Sequence, residues 1–123
     1  MGVYSIGVDI AEVERMRDMI DRHGERFLSR VFTSREIEYC RPKVTYAQSF
    51  AARFAAKEAV FKAAGTGLIQ GMRWRDVEVV NNTQGRPAIQ LSGTTAKMLE
   101  GRNVHLSLSH TDQVAIAMVV VEE

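Results

Sequence analysis

Arg53-Phe54-Ala55-Ala56-Lys57-Glu58-Ala59-Val60-Phe61-Lys62-Ala63-Ala64-Gly65 is the stretch whose periodicity decides the fold. It is rich in strong helix formers and has no proline, so it predicts a helix. At about 100° per residue, Phe50, Phe54 and Phe61 gather on one side, with Ala52, Ala56, Ala59 and Ala63 opposite. Large aromatics on one flank and small alanines on the other predict a helix packed on two sides, in the middle of the fold. Glu58 and Lys62 lie one turn apart on one remaining stripe, and Arg53 and Lys57 on the other. On a solvated helix each stripe would be an ion-pair row worth about 0.3–0.5 kcal/mol. On a helix otherwise buried, narrow charged stripes point to a cleft that needs charge.

Upstream, Val3 to Ile10 reads as a strand, with Ile6, Val8 and Ile10 alternating on one half-buried face and Asp9 on the other. A carboxylate near a strand end serves equally as a metal ligand or as a helix cap. Ala11 to His23 follows as an amphipathic helix, with Val13, Met16 and Ile20 inward and Gly24 as terminator. Its outer face carries Arg15, Met19 and Arg22, joined by Arg26 if the helix continues, with Phe27 and Arg30 just beyond. Solvated arginines alone would be a plain basic face. Met19 and Phe27 among them fit a docking surface for an acidic helical partner. Thr33 and Glu36 form a capping box that opens a short helix through Cys40, closed by Pro42.

The central helix begins near Thr45 and ends at Gly65-Thr66-Gly67, a terminator that could also bring backbone amides close to a phosphate. The second half is strand-rich. Asp76–Val80 and Ala88–Leu91 flank a turn at Asn81–Pro87, Ser92–Glu100 is a short helix, and Val104–Ser109 and Val114–Val121 form a final hairpin. Strands grouped apart from helices predict an α+β fold.

The 123 residues suit one domain, 1–123, with no repeat or linker dividing it. Hydrophobic residues at 46% and charged residues at 25% exclude disorder. A net charge of +1 argues against a dedicated nucleic-acid binder, leaving only a local patch for a charged partner. The apolar runs are too short for a membrane span, the N-terminus lacks a signal-peptide core, and the single Cys40 fits a reducing cytosol. Cys40 sits at i+3 from Ile37, which predicts a buried structural thiol rather than a nucleophile.

Asp9 and Glu58 are two acids from separate segments that could hold one hard cation. Magnesium takes a few carboxylates and completes its shell with water and substrate phosphate. Lys62, one turn beyond Glu58, could neutralise a departing phosphate, and Arg53, Lys57 and His110 could hold others. This set describes phosphoryl transfer. Ser109-His110-Asp112 has the letters of a hydrolase triad, but near-adjacent residues cannot converge in the relay. A metal-dependent nuclease would place its Glu and Lys two apart on a strand, not four apart on a helix.

These residues resemble the phosphopantetheinyl transferases of the small holo-[acyl-carrier-protein] synthase type. The family signatures are G-x-D near the start and F/W-x-x-K-E-[AS]-x-x-K on a helix. Here they stand as Gly7-Val8-Asp9 and Phe54-Ala55-Ala56-Lys57-Glu58-Ala59-Val60-Phe61-Lys62, and the likeness includes Gly85-Arg86-Pro87 and Ser107-Leu108-Ser109-His110. The resemblance implies transfer of the 4′-phosphopantetheine arm of coenzyme A to a serine of an apo acyl carrier protein, in support of fatty acid biosynthesis. It implies Asp9 and Glu58 as magnesium ligands, a metal-associated water oriented by one of them as base, and Lys62 at the leaving phosphate, so that Asp9, Glu58 and Lys62 are the catalytic set. Arg53, Lys57, Gly65, Gly85, Arg86, Pro87, Ser109 and His110 are implied at coenzyme A. Arg15, Met19, Arg22, Arg26, Phe27 and Arg30 match the carrier-binding surface. A cytoplasmic homotrimer with sites between subunits is implied as well. Phe61 departs from the pattern, since some relatives carry a small polar residue there near the coenzyme. The rival from another class is an inert α+β module binding an acidic partner through the arginine stripe, which would need none of Asp9, Glu58 and Lys62.

Overall fold

Strand β1 (Val3–Glu12) and helix α3 (Tyr46–Ala63) face each other at the centre of the molecule. The structure, a computed structural model, describes residues 2–65, 67 and 71–123; Thr66 of the predicted helix terminator lies outside them. Side chains alternate along a strand, and in β1 it is the small residues that meet the helix. The Ser5 hydroxyl donates to the Ala63 carbonyl at 2.6 Å. Gly7 lies so close beneath α3 that an added Cβ would stand 2.0 Å from the Ala59 carbonyl oxygen. Asp9 follows on the same face, and Ala11 is buried beyond it.

This reverses the predicted facing of β1. Ile6, Val8 and Ile10 are 62%, 51% and 61% exposed, not half-buried. The reason is steric: with the helix backbone in contact with Gly7, branched side chains have no room on that face and turn outward. The second strand of the sheet, β5 (Val114–Glu122), runs antiparallel to β1 and pairs Val8 with Met118 and Ile10 with Ile116. The outer face of the sheet is therefore an open apolar surface. On the inner face Ala115, Ala117, Val119 and Val121 of β5 are fully buried, in contact with α3. Strand β4 (Asn103–His110) completes the order β1-β5-β4.

Helix α1 spans Val13–Val31 and is broken at Gly24, the predicted terminator, into two helical halves. Gly24 takes φ 53°, ψ −133°, a conformation open to glycine, and the chain then resumes its helix in a new direction. Asp9 does not cap this helix, whose N-cap is Glu12, so of its two candidate roles the cap is removed. Helix α2 (Ser34–Cys40) has the predicted capping box: Thr33 Oγ1 accepts from the Glu36 N–H, and Glu36 Oε1 from the Thr33 N–H. Cys40 is fully buried and burial pushes its thiol up to about 11, which makes it inert, as predicted.

Strands β2 (Val77–Asn81) and β3 (Pro87–Leu91) form a separate antiparallel ribbon. Its turn is organised by Asn82, whose Oδ1 accepts from the Gln84 and Arg86 N–H groups. Helix α4 (Gly93–Met98) packs by a 3₁₀ turn at Trp74–Asp76. Two antiparallel sheets and one buried helix give the predicted α+β domain. Among the described residues no helix is long and apolar enough to cross a membrane.

The Gly7 contact makes a direct prediction. Gly7→Ala should lower stability by about 3 kcal/mol, the upper end for overpacking, because the obstructing atoms are backbone. Gly2→Ala, whose Cβ would meet only Glu123 Oε1 at 3.7 Å, should be neutral. Urea unfolding checks this; equal midpoints for the two variants would contradict the close approach.

Candidate active site

The β1–α3 contact sets three of the predicted residues side by side. Lys62 Nζ lies 2.9 Å from Asp9 Oδ1 and also donates to the Val8 carbonyl at 3.1 Å. The hydrogen bond to Asp9, with the Asp9 charge, raises the Lys62 pKa, so the ammonium stays charged. Glu58, one turn earlier on α3, has its pKa raised, first by burial and then by the negative charge of Asp9, against the opposing effect of Lys62. A carboxylate whose ionisation is opposed by a neighbouring one makes, with that neighbour, a donor set suited to a hard dication, which relieves the repulsion.

A cleft of about 440 Å³ between β1, α1 and α3 opens over these acids, lined by Asp9, Glu58, Arg15, Met16, Met19, Phe27 and Phe54. Three residues of the predicted docking stripe thus share a wall with the two acids. An adjoining groove is lined by Met19, His23, Arg26, Phe27 and Arg30. The change of direction at Gly24 lets both halves of α1 contribute to it. Arg22 is exposed on the same helix and lines neither groove.

Arg53 occupies a different side of α3. Residues five apart are about 140° apart around a helix, so Arg53 and Glu58 open to separate spaces. The Arg53 pocket is lined by Tyr39, Gln48, Gly85, Pro87, Leu108 and His110, among others. It brings together four of the residues expected at coenzyme A: Arg53, Gly85, Pro87 and His110. Arg53 is 6% exposed, its Nε has no hydrogen-bond partner, and among the described residues no carboxylate pairs with it. A guanidinium that lines a pocket without a carboxylate partner leaves its charge available to an anion.

The remaining predicted contacts are distributed otherwise. Arg86 is exposed on the turn beside this pocket. Gly65, with φ 87°, ends α3 near Lys62 and not near Arg53. Ser109 pairs with Ile116 across the sheet, on the exposed outer face, so within one chain it does not join His110.

Lys57 requires a correction. It is fully buried and lines none of the clefts described above, because its side of α3 faces α2 and β2. Its ammonium is 2.8 Å from Glu36 Oε1 and donates to the Trp74 carbonyl at 3.2 Å and to the Val77 carbonyl. Glu36 Oε2 in turn accepts from the Val79 N–H at 2.8 Å. Burial lowers the Lys57 pKa, with Glu36 opposing. Lys57 is a strut of the fold, not a nucleotide ligand. Phe61 is likewise a core side chain, fully buried and edge-on to Trp74 at 5.5 Å, so it offers nothing to a coenzyme. Tyr39 was missed: its ring lies under the Arg53 guanidinium at 4.3 Å, but 14 positions in sequence separate the two and no spacing announces the contact.

The family model described as the 4′-phosphopantetheinyl transferase superfamily matches residues 5–119, and the chain belongs to that superfamily. A relative from Koribacter versatilis, named holo-[acyl-carrier-protein] synthase, is 47% identical over 98% of this chain and 99% of its own length. A crystal structure of a holo-(acyl-carrier-protein) synthase from Bacillus anthracis in complex with CoA (3′,5′-ADP) superposes with a TM-score of 0.83 at 35% identity, covering 98% of this chain and 97% of that one. The synthase from Neisseria meningitidis superposes with a TM-score of 0.89 at 31% identity, covering 99% of this chain and all of the other.

The raised Glu58 pKa has a consequence for the metal-free protein. A carboxyl whose folded pKa lies above its ordinary 4.5 contributes stability that is fully present below 4.5 and is lost as pH rises through the raised value. Glu58→Gln should therefore melt higher than the parent at pH 7.5 in chelator, and the gap should close as pH falls below 4.5. Thermal melts across this range check it. A variant less stable than the parent at pH 7.5 would show that Glu58 is held by favourable contacts instead.

Proposed function

We propose that this chain transfers the 4′-phosphopantetheine group of coenzyme A to a serine of an apo acyl carrier protein, giving the holo carrier and adenosine 3′,5′-bisphosphate, in support of fatty acid biosynthesis. The observation that carries this reading is the shared cleft: Asp9 and Glu58 lie on the same wall as Arg15, Met19 and Phe27. A carrier docked on the arginine and methionine surface would present its serine to the acids. An inert binding module has no use for that alignment.

Asp9 and Glu58 would hold magnesium, which supplies positive charge to the coenzyme A pyrophosphate when bound. The serine oxygen attacks the phosphorus that carries the pantetheine arm, and the bond from that phosphorus to the bridging oxygen breaks. The serine proton passes to a water oriented by Asp9 or Glu58. Lys62, already anchored beside Asp9, is placed to neutralise the departing bisphosphate. Arg53 and His110, with the Gly85–Pro87 turn, would bind the nucleotide. Arg15, Met19, Arg22, Arg26, Phe27 and Arg30 would receive the acidic recognition helix of the carrier, guanidinium to carboxylate.

The proposal includes a homotrimer with its sites between subunits. Two features support it. The nucleotide pocket and the acids lie on different sides of α3, so one donor would need the pocket of one chain and the acids of another. The outer sheet face exposes Ile6, Val8, Ile10, Ile116 and Met118, a contiguous apolar patch of the kind that a partner covers. The same arrangement would bring outward-facing Ser109 to a neighbour's ligand. The cytoplasm is the expected compartment, in keeping with the free Cys40.

Incubated with coenzyme A, magnesium and a competent apo carrier, the protein should add one phosphopantetheine mass to the carrier, and chelator should stop this until magnesium is returned. Mass spectrometry reads the outcome, and no added mass would sink the transferase reading. Val8→Lys, on the outer sheet face, should give a folded monomer by light scattering, with turnover lost alongside assembly. A parent protein that is itself monomeric and active would refute the trimer.

A further inference from the structure

One aromatic ring beside the Arg53 pocket carries two cations. Lys43 Nζ lies 4.4 Å and the Arg53 Cζ 4.3 Å from the centroid of the Tyr39 ring. Neither cation has a carboxylate partner among the described residues. Two unneutralised cations on one ring repel each other, and the negative face of the ring is the attraction that keeps both there. Asn81 lines the same pocket as Tyr39 and Arg53. Asn81 ends β2, next to the turn whose Gly85 and Pro87 line the same pocket. Tyr39 thus joins the end of α2 to the Arg53 guanidinium, beside the nucleotide-side turn. The pocket it borders is lined by Arg53, whose positive charge complements a phosphate.

We infer that Tyr39 is a positioning residue for the donor: its ring orients Arg53 and Lys43 toward one phosphate group of the nucleotide. It touches no reacting atom. This inference rests on the coenzyme A reading above, and its test is chosen so that the two can fail separately.

Tyr39→Leu keeps volume and removes the ring. It should raise the KM for coenzyme A, and the Kd for adenosine 3′,5′-bisphosphate by calorimetry, roughly tenfold. The kcat at saturating coenzyme A and the KM for carrier should stay within about twofold, the pattern of lost donor binding rather than lost structure. Tyr39→Phe and Tyr39→Trp, which restore a ring, should recover the affinity to within about threefold. Lys43→Ala, an exposed change that leaves the ring in place, should weaken bisphosphate binding about threefold and decides the matter should Tyr39→Leu fail to fold. Parental affinity in Tyr39→Leu or Lys43→Ala would overturn the inference, as would equal damage to kcat and both KM values. If the parent binds the bisphosphate but transfers nothing, the transferase reading fails while the titrations still decide Tyr39. If the parent does not bind the bisphosphate, the Tyr39 inference falls with it.

Discussion

The contact between Gly7 and the backbone of α3 at Ala59 governs much of this molecule. A strand and a helix normally stand apart by the thickness of their side chains, about 10 Å between axes for elements of ordinary residues. Here one position has no side chain, and the carbonyl of Ala59 occupies the space a Cβ would take. The strand comes close enough for Ser5 to bond the last turn of the helix and for Asp9 to meet Lys62. The same closeness excludes branched residues from the inner face and drives Ile6, Val8 and Ile10 outward. One steric fact thus assembles the acids on one side of the sheet and leaves an apolar surface on the other.

A second constraint works from the opposite side of α3. The Lys57–Glu36 pair is fully buried, and each ion has further hydrogen bonds: two backbone carbonyls for the ammonium, the Thr33 and Val79 amides for the carboxylate. Buried charge is tolerated when satisfied in this way, and truncating one partner would strand the other. The network joins α2, α3 and β2, the elements that bring Tyr39, Arg53 and Asn81 together. The charged motif on the central helix therefore divides its labour. Glu58 and Lys62 stand beside Asp9, Arg53 lines a separate pocket, and Lys57 holds the scaffold between them.

Much of this could be read from the chain. The helix over Tyr46–Ala63 follows from alanine content and periodicity, and the α2 cap from Thr33 and Glu36, both local properties of the backbone. Asp9, Glu58 and Lys62 were legible as a set because their residue types and order match a chemistry that needs them. What could not be read was facing. Alternation in β1 shows that Ile6, Val8 and Ile10 share a face with one another and not with Asp9, but both faces of a strand look alike until its neighbour is known. Lys57 was misassigned for the same reason: a lysine on a narrow stripe of a buried helix can meet solvent, a ligand or a buried carboxylate, and only Glu36, 21 positions earlier, decides which.

The sequence by itself determined the elements, the fold class and the acidic and basic residues available for phosphoryl transfer, because helix propensity, capping and motif spacing act within a few residues. The tertiary structure alone decided that Gly7 touches the α3 backbone, that Lys57 is sealed inside, that Tyr39 lies under Arg53, and that the Arg53 pocket and the acids open on different sides of one helix. Those outcomes depend on which surfaces are pressed together across 14 to 52 residues of chain, where steric fit and the need to neutralise buried charge select the partner and local pattern carries no record of it.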